Sequence, residues 1–175
     1  MSVSEVIATL NRMSDAGVIE RYAIGGAVGA TFYLEPVATL DVDIFVAFRP
    51  EPGRLIVSPQ PIFDYLKRNG CVMDGEYVVI AGWPVQFLPA DGSLVGEALR
   101  DSIEKDVGGN PARVFTAEHL AAIALQTGRA KDKTRLLQFI EAGALDAVRF
   151  QAIIAQHGLI DRWNHFERQF LSDTP

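Results

Sequence analysis

Two short stretches decide how this chain reads: Tyr22-Ala23-Ile24-Gly25-Gly26 and Thr39-Leu40-Asp41-Val42-Asp43-Ile44-Phe45-Val46. The first is a β-type run that ends in paired glycines. Small residues follow and read as a helix over Ala27–Leu34, until Pro36 breaks the chain. The second stretch is rich in β-branched and aromatic residues and reads as a strand over Asp41–Val46. Side chains alternate along a strand, so Asp41 and Asp43 are expected on one face and Val42 and Ile44 on the other. Two carboxylates about 7 Å apart on one face repel each other unless positive charge sits between them. A divalent cation resolves that repulsion, and hard oxygen ligands suit Mg²⁺ or Mn²⁺. Gly25 and Gly26 lack Cβ atoms, so the backbone there can approach a phosphate closely. Each feature alone has a plainer explanation, as a solvated strand face or a tight turn. Their succession favours phosphate and metal chemistry.

The remaining chain supports an α+β architecture, a mixed sheet with flanking helices and a C-terminal helical tail. Ser2-Val3-Ser4-Glu5 has capping-box spacing ahead of Val6, Ile7, Leu10 and Met13 at helical intervals, and Gly17 can end that helix. Ser58-Pro59 starts another helix that stops at Gly70. The stretch Val72–Ile80 beside Cys71 reads as strand. Tyr77–Ile80 and Val85–Leu88 read as a hairpin around Ala81-Gly82-Trp83-Pro84. A second hairpin is expected around Gly108-Gly109-Asn110-Pro111, and Thr116 is placed to cap the first helix of the tail. The expected division is a core over 1–115 and a helical region over 116–175 packed on it.

The chain has 175 residues, and 16 Lys+Arg against 22 Asp+Glu give a net charge of −6. That sign argues against a general nucleic-acid coat or an anionic-membrane binder, but not against a local site for one nucleotide. The single cysteine excludes an intrachain disulfide, and Cys71 reads as an inert buried thiol. Glu5 and Arg12 do not suit a signal peptide, and no run approaches the roughly 18 apolar residues of a membrane helix. A cytoplasmic location with no membrane partner is expected.

Gly25-Gly26 followed by Asp41-x-Asp43 resembles the nucleotidyltransferase superfamily with the polymerase-beta-like fold. It is nearer to the abortive-infection AbiEii toxin type, which carries Gly-Gly rather than Gly-Ser. The segment Leu125-Gln126-Thr127-Gly128-Arg129-Ala130-Lys131-Asp132 is similar to that family's downstream basic segment. The resemblance implies transfer of a nucleoside monophosphate from an NTP to a hydroxyl acceptor, whether RNA, protein or small molecule. It implies Mg²⁺ or Mn²⁺ on Asp41 and Asp43, and nucleotide binding by Gly25, Gly26, Thr39, Arg129 and Lys131. It also implies a toxin–antitoxin or phage-defence setting, with a cognate antitoxin or toxin as partner.

The sequence departs from the family in one place. The third carboxylate expected on a neighbouring strand has its best equivalent at Gln86, and an amide is neither a good Mg²⁺ ligand nor a base. Gln86 could contact a base or sugar in a one-metal reaction. Asp91, Glu76 or Asp74 could supply the acid instead. A third reading is a fold that binds nucleotide, or a partner protein as an antitoxin would, without catalysis. Dinucleotide binding by Gly25-Gly26-Ala27-Val28-Gly29 is a further alternative, although the spacing G-x-G-x-x-G is not met. Lys131 and Arg135 share one helix face and Arg129 and Lys133 another, with Asp132 free to pair with a neighbour. His119, His157 and His165 read as structural or surface residues. Trp163, Phe166 and Phe170 fall at helical spacing and read as core or interface. Trp83 reads as a packed turn residue.

Overall fold

A computed structural model describes residues 2–36, 38–48 and 58–172. One seven-stranded mixed sheet runs in the order β3-β4-β5-β2-β1-β7-β6. Its strands are β1 (Arg21–Ile24), β2 (Val42–Ala47), β3 (Val72–Asp74), β4 (Tyr77–Ile80), β5 (Trp83–Pro89), β6 (Ile103–Val107) and β7 (Asn110–Val114). The helices are α1 (Val3–Asp15), α2 (Gly26–Ala30), α3 (Gln60–Arg68), α4 (Ser93–Arg100), α5 (Ala117–Thr127), α6 (Ala130–Glu141), α7 (Ala147–Gln156) and α8 (Ile160–Phe166). A π-helical turn over Glu167–Leu171 extends α8.

β2 lies mid-sheet, antiparallel to β1 and parallel to β5. Its side chains alternate as expected. Val42, Ile44 and Val46 are fully buried in a cluster with Ile7, Leu10 and Met13 of α1 and Ile62 and Leu66 of α3. Phe45 and Ala47 turn to the other face, against a second cluster built from α4, α5, α6, α7 and α8. Asp43 falls on that second face, beneath the helices that follow β7. The antiparallel pairing of β1 with β2 also removes the dinucleotide alternative, because that motif needs two parallel strands joined by a crossover helix.

Several local expectations change. Asp41 precedes β2 rather than opening it: the Thr39 hydroxyl donates to the Asp41 carbonyl (3.1 Å), a local turn bond that competes with the strand ladder. The stretch Val72–Ile80 splits into a hairpin at Gly75, whose φ of +61° sets the turn. Ser2 caps α1 without a side-chain bond, because its hydroxyl engages Ser4 instead (2.7 Å). α2 ends at Ala30, where the Thr31 hydroxyl bonds the Val28 carbonyl (2.7 Å) and the chain tightens into turns. Cys71 is only half-buried, and burial, partly offset by Arg12, pushes its thiol up. Thr116 does cap α5, accepting from the His119 N–H (3.3 Å). Trp83 packs in the first cluster beside the β4–β5 turn. Among the described residues, no helix is long and apolar enough to cross a membrane.

Candidate active site

The paired glycines are locked to β2 by sterics. The Gly25 N–H donates to the Asp43 carbonyl (3.0 Å), extending the β1–β2 ladder by one rung. A Cβ on Gly25 would stand 2.5 Å from the Phe45 ring, and one on Gly26 would stand 1.9 Å from Asp43 Oδ2. Gly26 also has φ +56°, in the left-handed region. The room these glycines leave is taken first by the side chains of β2. Phosphate access was the reason the sequence suggested for them; space for the Asp43 carboxylate is the reason the structure displays.

Asp43 is half-buried, and among the described residues neither of its oxygens takes a hydrogen bond or ion pair at contact distance. Burial, and next the Asp41 charge, push its carboxyl above the usual carboxylate range, while Lys131, Arg135 and Arg129 pull the other way. The arrangement thus brings Asp41 and Asp43 together and sets three cations from the start of α6 opposite them. Arg135 was not among the expected site residues, although the sequence already put it on one helix face with Lys131. Lys133 goes elsewhere, to the far side of α6 over the Phe170 ring.

Two cavities flank the aspartates. One of about 720 Å³ is lined by Thr39, Asp41, Asp74, Tyr77, Lys131 and Arg135, among others. The other, about 460 Å³, takes Gly26, Asp43, Gln86, Arg129, Asp132 and Arg135, over an apolar floor that includes Phe45, Leu88 and Phe115. Gln86 is the direct register partner of Asp43 across the parallel β2–β5 pair. Of the three alternative acids, Asp74 lines the Asp41 cavity, whereas Glu76 and Asp91 line neither.

The donor set fits a hard divalent cation. Two neighbouring carboxylates, one of them half-buried with both oxygens unengaged, present the charge and oxygen chemistry that Mg²⁺ or Mn²⁺ requires. A second grouping of acid and histidine behaves differently. Glu97, Asp101 and His119 place ligand atoms within 4.8 Å of one another. The Glu97 oxygens are already engaged, however, by His119 Nε2 (3.2 Å), His157 Nε2 (3.0 Å) and Gln156 Nε2 (2.6 Å). With both Nε2 atoms donating, the Thr116 and Ser93 hydroxyls donate to the two Nδ1 atoms (2.8 and 3.1 Å). This network ties α4 to α5 and to the end of α7. His119 is fully buried, and desolvation holds its imidazole below the ordinary value despite Glu97. Burial raises the Glu97 carboxyl, but the hydrogen bonds from His157 and His119 outweigh it and leave it below the usual range.

No family model matches the chain, and no curated protein does. Solved structures do. An antigenic nucleotidyltransferase-like protein from Paracoccidioides brasiliensis is similar at TM-score 0.57 and 15% identity, over 89% of this chain and 88% of that one. ANT(2″)-Ia in complex with adenylyl-2″-tobramycin gives 0.54 and 14%, over 90% and 97%. The solution structure of the antibiotic-resistance factor ANT(2″)-Ia gives 0.55 and 16%, over 97% and 98%. At these identities the likeness concerns the fold, and the fold of this chain is nucleotidyltransferase-like.

Proposed function

We propose that this chain is a metal-assisted nucleotidyltransferase that moves a nucleoside monophosphate from an NTP to an acceptor hydroxyl. One observation carries the reading: Asp41 and Asp43 stand together at the sheet, facing Arg129, Lys131 and Arg135, with cavities on both sides. The likeness to nucleotidyltransferase folds supports it. In this reading Asp41 and Asp43 hold the divalent cation, which when bound neutralises charge on the phosphates. The Gly25–Gly26 backbone, Thr39, Arg129 and Lys131 bind the nucleotide. The acceptor oxygen attacks the α-phosphorus in line, the bond to the β-phosphate oxygen breaks, and pyrophosphate leaves. The acceptor proton passes to water, because Gln86 cannot take it. Positioning and charge neutralisation carry such a reaction. The core over 1–115 supplies the aspartates, and the helical region over 116–175 supplies the cations. Kinship with the AbiEii type, and with it a toxin–antitoxin role, belongs to the same proposal. A small-molecule acceptor is the alternative suggested by the tobramycin adduct of ANT(2″)-Ia.

The test is Mg²⁺-dependent binding of each of the four NTPs, followed by transfer of α-labelled phosphate to RNA, protein or small-molecule acceptors. The chain should bind at least one NTP only with Mg²⁺, and Asp41→Ala with Asp43→Ala should abolish that binding. Equal binding by the double variant would overturn the assignment. Gln86 favours a second reading, a catalytically degenerate module that binds nucleotide or a partner protein. In that case NTP binds but no acceptor is labelled, and the double variant keeps its partner.

A further inference from the structure

Asp132 is 3% exposed, rare for a carboxylate near a helix start. It sits three residues after Arg129, the N-cap of α6, where an acid gains from the helix dipole without being buried. Burial brings a desolvation cost, and a buried ion pair is a poor device for stability alone. What burial adds here is direction. Arg129 Nε donates to Oδ2 (2.6 Å) and Nη2 to Oδ1 (3.3 Å), a two-point fork, while Arg135 Nη1 stands 3.9 Å from Oδ1. The Arg129 side chain is nonetheless 60% exposed, and neither of its bonds to Asp132 uses Nη1. Both arginines line the same cavity as Asp43, Gln86 and Gly26.

We propose that Asp132 is a positioning residue whose buried carboxylate holds Arg129 and Arg135 as a two-armed clamp for phosphate groups entering the Asp43 cavity. An unrestrained arginine would lose its rotamer freedom on meeting a ligand; one already forked on Asp132 has lost it beforehand. The planar N–H edges left free match the oxygens of a phosphate. The clamp itself needs only a polyphosphate; that the phosphates belong to an NTP rests on the function proposed above.

The experiment measures binding of inorganic tripolyphosphate and of Mg²⁺-NTP by calorimetry, for the parent, Asp132→Asn, Arg129→Gln and the double variant. Asp132→Asn should weaken both ligands on the order of tenfold or more, as expected when a charged group loses the partner that orients it. The double variant should be weaker than Arg129→Gln alone, but by less than Asp132→Asn weakens the parent, because Asp132 acts through both arginines and only Arg135 then remains to be released. In steady-state transfer the KM for NTP should rise while kcat stays near the parent. A merely helix-stabilising Asp132 would lower the melting temperature, leave tripolyphosphate affinity intact and add independently to Arg129→Gln; that pattern overturns the proposal. Failure of the parent to bind tripolyphosphate overturns the clamp outright. Tripolyphosphate binding without Mg²⁺-dependent NTP binding sinks the nucleotide reading and leaves the clamp standing.

Discussion

Replacing Gly26 with alanine puts one methyl group where the Asp43 carboxylate lies. The new Cβ would stand 1.9 Å from Oδ2, and ordinary contact begins near 3.4 Å, so the carboxylate must retreat by 3.4 − 1.9 = 1.5 Å or the turn must open. The φ of +56° adds a backbone cost of about 1–2 kcal/mol for an L side chain. The reduced freedom of the unfolded alanine chain returns about 0.4–1 kcal/mol. The net backbone loss is therefore about 1 kcal/mol, or roughly 2–4 °C in Tm for a chain of this size. Function should suffer far more, because a displacement of about 1 Å at a reacting centre costs on the order of 100-fold. Gly26→Ala should melt within a few degrees of the parent yet lose about two orders of magnitude in Mg²⁺-dependent nucleotidyl transfer, measured with α-labelled NTP. Parent-level transfer by a folded Gly26→Ala protein would show that the position of Asp43 does not matter, and the site assignment would fall with it.

Three other outcomes follow from the charge layout. Asp43→Asn removes a carboxylate whose ionised form is disfavoured by burial and by Asp41, so the variant should melt at or above the parent temperature while Mg²⁺-NTP binding is lost. Gln86→Glu adds a third carboxylate beside Asp43; Mn²⁺ should bind on the order of tenfold tighter, and the metal-free protein should melt lower. Acid should loosen the tie between α4, α5 and α7. His119 and Glu97 both have folded-state values below their ordinary ones, so each stabilises the fold above its unfolded pKa and loses that contribution as pH falls. For His119 the loss begins near the ordinary imidazole value of about 6.5, and for Glu97 near about 4.3. Melting temperature should drop as pH falls from 7 to 5, and His119→Gln should flatten that slope; a slope unchanged in the variant would count against this origin.

Most strands and the two hairpins β4–β5 and β6–β7 were legible, because alternation in Val42-Asp43-Ile44-Phe45 and turn chemistry at Ala81-Gly82 and Gly108-Gly109 are local signals. Gln86 as the neighbour of Asp43 came from the third-carboxylate position that the family resemblance implies, not from any local signal. What escaped depends on tertiary approach. No local signal says that Gly26 faces the Asp43 carboxylate, that Asp132 is buried between two arginines, or that Glu97 meets two histidines from helices far along the chain. Asp41 missed its strand because a Thr39 hydroxyl competed for its carbonyl, and propensity is blind to that contest.

The two hydrophobic clusters on opposite faces of the sheet each hold one of the chain's two tryptophans, Trp83 in the first and Trp163 in the second. Trp163 sits edge-on to Phe150 and stacked on Phe166, whereas Trp83 lies by the β4–β5 turn with its indole N–H buried and, among the described residues, unpaired. Intrinsic fluorescence therefore carries two independent clocks for unfolding. Trp83→Phe silences one and Trp163→Phe the other. If the two single-tryptophan proteins melt at one temperature, the sheet and the helices behind it form a single cooperative unit. If they separate, one face of the sheet unfolds while the other stays folded, and the carboxylates and cations of the site part at the lower of the two temperatures.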